Sequence, residues 1–233
     1  GQENGHDPKV LEKIWGDWEK FASYAFNKSH ATCYSWVAYQ TAYLKAHYPA
    51  EYMAALMTRR FSQITEITKL MEECQSMNIK TLGPDVNESY RAFGVNEHGE
   101  IRFGLSAIKG MGTPAADAIV AEREKNGPYK DIFDFAQRVD FSNVNRKAFE
   151  SLALSGGFDS FGIPRENFFG VNNKNEMFLD TLVRYGQLYQ REQHEAVTSL
   201  FGGLDAIEIA TPPIPHAEGW STIERLNKER DLV

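Results

Sequence analysis

Residues 105–116 read Leu-Ser-Ala-Ile-Lys-Gly-Met-Gly-Thr-Pro-Ala-Ala, and no other stretch restricts the fold as much. An apolar short helix runs into Gly110-Met111-Gly112. Thr113 is placed to cap a second helix and Pro114 to occupy its first position. Ala115, Ala118 and Ile119 then recur at helix-packing spacing, and Ala115 is small enough to let two helices approach. Both glycines can adopt positive φ and bring bare backbone against a ligand. The free N–H groups of the second helix would face outward with the positive end of its dipole, which makes an anion site. Lys109 adds one mobile charge.

The order hydrophobic, any residue, Gly, hydrophobic, Gly, then a small residue three positions on is the helix-hairpin-helix pattern. Such a hairpin binds phosphates of duplex DNA without reading sequence, because phosphate contacts position a protein and base contacts specify. Lys109, Gly110, Met111, Gly112 and Thr113 are therefore the expected phosphate-binding residues. A tight turn joining two packed helices would use the same residues, so that alternative stays open. A second unit follows at 145–166: a helix from Asn145 through Leu154 ends in Gly156-Gly157, and Pro164-Arg165-Glu166 starts another. It lacks the Gly-hydrophobic-Gly centre and reads as structural first; Arg146 and Lys147 are its candidate DNA contacts.

The rest of the chain is mostly helical by periodicity. Helices are expected from about Pro8 to Ser23, with Leu11, Ile14, Trp15 and Trp18 on one stripe, and from an N-cap at Ser29 to His47. The second would bury Tyr34, Val37, Ala38, Thr41 and Lys45 or Leu44. Pro49 stops it and starts a helix over 51–59, and another spans 63–77 with Ile64, Ile67, Leu70, Met71 and Cys74 inward. The period then changes to two. Phe93 and Val95, then Ile101 and Phe103, flank Asn96-Glu97-His98-Gly99-Glu100 as a β-hairpin. Helices resume to about Tyr189, residues 200–218 read as a Gly/Pro-rich acidic linker, and 220–233 as an amphipathic segment. The expected fold is mainly α: a multi-helix portion with a small β-hairpin, followed by a tandem helix-hairpin-helix domain.

The formal net charge is −7, which argues against a chain-wide electrostatic grip on nucleic acid, so contacts must be local. No apolar run approaches a membrane span, and no membrane partner is expected. The chain starts Gly1-Gln2-Glu3-Asn4-Gly5, without the basic and apolar regions of a secretory signal. Cys33 and Cys74 have no metal-ligand spacing and read as two reduced, buried thiols, with a cytoplasmic location as the default.

The block Phe21-Ala22-Ser23-Tyr24-Ala25-Phe26-Asn27-Lys28-Ser29-His30-Ala31, continued by Ala38-Tyr39-Gln40-Thr41-Ala42-Tyr43-Leu44-Lys45-Ala46-His47-Tyr48-Pro49, resembles the bacterial DNA polymerase III alpha subunit, a family C replicative polymerase. The likeness continues through Pro84-Asp85-Val86-Asn87, Ile108-Lys109-Gly110-Met111-Gly112 and Leu154-Ser155-Gly156-Gly157-Phe158-Asp159. The resemblance implies that 1–85 is the end of the fingers, 86–190 the β-hairpin with the duplex-gripping helix-hairpin-helix domain, and 191–233 a linker and the start of a further segment. It also implies that Asn27, Lys28, Ser29 and His30 lie near template and incoming deoxynucleoside triphosphate. In that family two metal ions, Mg2+ in the intact enzyme, sit on palm aspartates that precede the fingers. No Asp-x-Asp pair here suits that role: Asp85 is isolated, and Asp131 and Asp134 fall at an expected helix start. The fragment is therefore expected to bind no cofactor, to carry no catalytic residue and to be inactive alone. Leu200-Phe201, after Thr198-Ser199, is similar to peptides that dock on the sliding clamp, although Val197 stands where a leading Gln is usual. A protein-interaction scaffold for the clamp or other replisome subunits is the competing function.

Overall fold

The computed structural model describes residues 2–25, 27–198, 209–230 and 232. Its backbone contacts divide the chain into two compact units, Gly1–Pro49 and Ala50–Val233.

The first unit holds two long helices, α1 (Pro8–Ala25) and α2 (Lys28–His47). The cap of α2 is Asn27 and not Ser29: the Asn27 side-chain oxygen accepts from the His30 N–H at 3.0 Å. An extended Asn two residues earlier reaches the open N–H groups of the first turn, which leaves Ser29 inside the helix. The expected buried face of α2 is also corrected. The helix has no buried residue, and Tyr34 is 65% exposed. Its aromatic rings lie along the helix beside one another, Trp36 on Tyr39, Tyr39 near Tyr43 and Tyr43 on His47, with centroids 4.2–6.5 Å apart. A ladder of side chains at i, i+3 and i+4 spacing covers only its own members, so it does not take the rings out of water. Cys33, on the same helix, is exposed, against the expectation of a buried thiol; Cys74 is buried, and burial pushes its thiol pKa up.

Helix α3 (Pro49–Arg60) starts at the last residue of the first unit and buries Ala50, Met53, Ala54 and Met57, one face of a helix; in the second unit α4 (Ile64–Ser76) buries Ile67 and Cys74, while Ile64 and Met71, expected inward, are exposed. The expected hairpin is present: β2 (Gly94–Val95) pairs antiparallel with β3 (Ile101–Arg102). The Asn96 side chain ties its loop by accepting from the His98 and Glu100 N–H groups. A further strand, β1 (Thr81–Leu82), pairs parallel with the other edge of β3 and makes a three-stranded sheet. Phe93 and Phe103 meet edge to face across it at 4.6 Å.

Beyond the sheet come a single 3-10 turn at Leu105–Ala107, α5 (Thr113–Asn126), α6 (Ile132–Arg138) and α7 (Arg146–Ser155). The helix expected before Gly110 is thus only one tight turn, because Ile108 is already extended. Two 3-10 segments, Asp159–Phe161 and Arg165–Phe169, lead to α8 (Phe178–Thr198). The start expected at Pro164 is therefore 3-10 rather than α. Phe135, Phe149, Phe158, Phe168 and Phe178 are each 0–1% exposed and form the centre of the core. Their rings pack at 5.0–6.2 Å, mostly edge to face or tilted. Helix α8 lies against α6: a Cβ on Gly186 would sit 2.2 Å from the Ala136 carbonyl oxygen, and Gln190 donates to the carbonyls of Gln137 and Val139. Residues 209–221 form no helix or strand, yet Ala217 N–H donates to the Asn167 side chain and Trp220 packs on Phe169. Helix α9 (Thr222–Arg230) follows, held by Glu229 on Arg165.

Candidate nucleic-acid interface

The Gly110 hairpin begins as a four-residue turn. Met111 N–H donates to the Ile108 carbonyl at 3.0 Å, and Gly110, the third residue, has φ +89°. A turn with positive φ at its third residue favours glycine there, since a Cβ would meet its own backbone. Met111 is buried and anchors the turn, whereas Lys109, Gly110, Gly112, Thr113 and Pro114 are exposed. The cap of α5 is Gly112, in extended backbone at φ −73° and ψ 153°, and not Thr113. The Ala116 N–H donates to the Gly112 carbonyl at 3.1 Å and closes the first turn one residue earlier than the Thr-Pro pair suggests. Among the described residues, the N–H groups of Gly110, Gly112 and Thr113 have no acceptor, and the Lys109 ammonium has no ion pair. Two of these open donors, at Gly112 and Thr113, stand at the positive end of a 14-residue helix with no side chain capping them, and Gly110 precedes them in the turn.

Helix α7 presents the second set of predicted residues. Asn145 caps it, its side chain accepting from Ala148 N–H at 3.0 Å. Lys147 and the hairpin come together: a Cβ built on Gly110 would lie 3.5 Å from Lys147 Cε and 3.6 Å from its Cγ. Lys147 is 58% exposed and pairs only loosely with Glu150, at 3.4 Å. Arg146, its neighbour, is differently placed. Its guanidinium binds Glu150 at 2.6 Å and Asp180 at 2.8 Å, and these carboxylates raise its pKa against a smaller effect of burial. Arg165 is enclosed: it donates to Asp159, to Glu229 and to the Leu154 carbonyl, and so links the end of α7 to the segment after it and to α9.

Asn27, Lys28, Ser29 and His30 all lie at the exposed start of α2, in the other unit. Asn27 is engaged as the cap, and the His30 ring rests 4.4 Å from Tyr34. Leu200 and Phe201 fall outside the described residues. Asp131 is a cap, accepting from Phe133 and Asp134 N–H at 2.8 Å, while Asp134 accepts from Lys130 N–H. No cluster of three or more His, Cys, Asp or Glu side chains suited to a metal forms among the described residues. No described helix is long and apolar enough to cross a membrane.

One contributor has no signal in the sequence. Ser151 is fully buried on α7, and its hydroxyl donates to the Lys109 carbonyl at 3.0 Å. A serine at the core-facing position of an amphipathic helix gives no indication of a partner 42 residues away. The Lys109 N–H is likewise taken, by the Leu232 carbonyl at 2.9 Å.

Comparison with known proteins fits this geometry. DNA polymerase III subunit alpha of Chlamydia trachomatis is 44% identical over 236 residues, covering 99% of this chain and 18% of that protein. That of Pasteurella multocida is 48% identical over 99% of the chain and 19% of its own length. The Escherichia coli K12 protein is 44% identical over 69% of the chain. The chain belongs to the DNA polymerase III alpha-subunit family. It spans less than a fifth of the length of these alpha subunits. Within it, residues 78–168 match the helix-hairpin-helix motif family, a stretch that contains the sheet, the Gly110 hairpin, α5, α6 and α7.

Proposed function

We propose that this alpha-subunit segment holds duplex DNA for a replicative polymerase by sequence-independent phosphate contacts. The observation that carries the reading is the exposed set of open N–H groups at Gly110, Gly112 and Thr113, flanked by Lys109 and Lys147. Amides and lysines aimed at phosphate oxygens fix position on a duplex without distinguishing bases. With a net charge of −7, the grip of the segment by itself is weak, within the range of about 10⁻⁴–10⁻⁶ M typical of non-specific binding at physiological salt. Arg146 contributes less than Lys147, since its guanidinium is already held by two carboxylates.

In the same reading, the start of α2 belongs to the fingers. Asn27, Lys28, Ser29 and His30 then face template and incoming deoxynucleoside triphosphate, with Lys28 and the open end of the helix offering positive charge. The functional divisions 1–85, 86–190 and 191–233 follow this assignment. The metal-bearing carboxylates and bound Mg2+ belong to other parts of the parent cytoplasmic enzyme, so the segment alone incorporates no nucleotide. Leu200-Phe201 supplies a docking peptide for the sliding clamp.

Fluorescence anisotropy of a labelled random-sequence duplex tests the central reading. Binding should weaken steeply with salt, and two unrelated sequences should give the same affinity. Affinity that is insensitive to salt, or a strong preference between the sequences, would refute it.

A further inference from the structure

We propose that Ser151 is a positioning residue that makes Lys147 and the Gly110–Thr113 amides act together on one backbone phosphate. The inference rests on the duplex-holding reading and adds how the site is assembled. Lys147 and Ser151 lie four residues apart on α7, so they share one face of that helix. Ser151 is 0% exposed and its hydroxyl donates to the Lys109 carbonyl at 3.0 Å, which ties that face to the hairpin. The same tie brings the Lys147 stem over Gly110. A Cβ at residue 110 would meet Ser151 Oγ at 2.7 Å and Lys147 Cε at 3.5 Å, so the hydroxyl and the stem fill the space that a glycine leaves.

Lys109 is held from the other side as well, because its N–H donates to the Leu232 carbonyl at 2.9 Å. With both backbone polar groups of Lys109 engaged, the turn that carries the open amides of Gly110, Gly112 and Thr113 is held in place from two sides. Preorganised donors bind better because their ordering precedes the ligand. The pair between Lys147 and Glu150 is long, the Lys147 side chain is 58% exposed, and Glu150 is held more closely by Arg146, so a phosphate displaces Lys147 from it readily. The ligand class is a phosphodiester: one anionic group close enough to be met by an ammonium and by backbone N–H groups at the same time.

The test is anisotropy titration of a labelled duplex across a salt series with the parent chain, Lys147→Ala, Ser151→Ala and the double variant. Each single substitution should weaken binding about five- to tenfold and reduce the slope of log affinity against log salt by about one, the signature of one lost phosphate contact. The double variant should stay within about twofold of Lys147→Ala, since both changes remove the same contact. A structural role alone would lower the melting temperature of Ser151→Ala and leave its salt slope at the parental value; that result overturns the proposal. So does a double variant whose loss is the product of the two singles. If Ser151→Ala fails to fold, Ser151→Cys keeps the volume with a weaker donor. It should then fall between parent and Lys147→Ala, and a parental slope for it counts against the proposal. Absence of salt-dependent binding by the parent itself removes the duplex-holding reading and this inference with it.

Discussion

Gly110 and Gly112 look equivalent in the motif, and the structure separates them. Gly110 has φ +89°, and a Cβ there would lie 2.7 Å from Ser151 Oγ. Gly112 has φ −73°, and its Cβ would meet only Pro114 Cδ, at an ordinary 3.6 Å. Alanine at 110 therefore incurs about 1–2 kcal/mol for left-handed backbone, plus roughly 1–3 kcal/mol for crowding a packed site. The expected loss for Gly110→Ala is about 3 kcal/mol, a fall in melting temperature on the order of 6–12 °C for a chain of this size. Alanine at 112 costs only the difference in N-cap preference, below about 1 kcal/mol. Gly112→Asp goes further in separating fold from grip. Its carboxylate can accept from the first-turn N–H groups, so α5 keeps or gains a few tenths of a kcal/mol, while a negative charge stands where a phosphate is expected. Urea unfolding followed by circular dichroism reads the stabilities, and anisotropy of a labelled duplex reads the binding. Gly110→Ala should unfold well before the parent, and Gly112→Asp should unfold with it but bind at least about tenfold more weakly. A parental midpoint for Gly110→Ala would refute the argument from φ and contact, and parental binding by Gly112→Asp would refute the placement of the phosphate.

The same unfolding assay checks three further predictions. Arg165 is 8% exposed in its side chain and neutralises Asp159 and Glu229, so Arg165→Ala should lose on the order of 2–3 kcal/mol, moderated because both carboxylates reach water; Arg225→Ala, half-exposed beside the same groups, should change stability by less than about 0.5 kcal/mol. Phe149→Ala removes a fully buried ring packed among Phe135, Phe141 and Phe158 and should lose about 3–5 kcal/mol. Asp140 accepts from the Ser142 N–H at 2.8 Å and from Asn143, which holds its carboxyl below the usual range. Its contribution is thus present above the ordinary carboxylate pKa and disappears as pH falls through the lowered value, and Asp140→Asn should flatten the acid limb of a stability–pH profile.

Much of this protein is readable locally. The helices α3 and α4, the change to period two around residues 93–103 and the Gly-Met-Gly hairpin all reappear as elements, since each depends on neighbours within a few residues, although Ile64 and Met71 on the expected inward face of α4 stand exposed. Helix caps are not fixed by residue type alone. Asn27 and Gly112 take roles that Ser29 and Thr113 would fill equally well on propensity, and only the backbone path decides among adjacent candidates. Strand β1 has no signal of its own, because two residues show no alternation; it exists through pairing with β3 some 20 residues later, Thr81 opposite Ile101.

By itself, the sequence determined a mainly helical chain, a tight glycine turn at 108–113 and membership in a polymerase family, because hydrophobic period, glycine backbone freedom and long identical blocks are properties of short stretches. The tertiary structure alone decided which charges are available. It committed Arg146 to Glu150 and Asp180, enclosed Arg165 in the core, and carried Ser151 and Lys147 to the hairpin from a helix about 40 residues downstream. The reason is physical: a guanidinium or hydroxyl acts on whatever lies within about 3 Å of it, and packing between distant elements sets that distance.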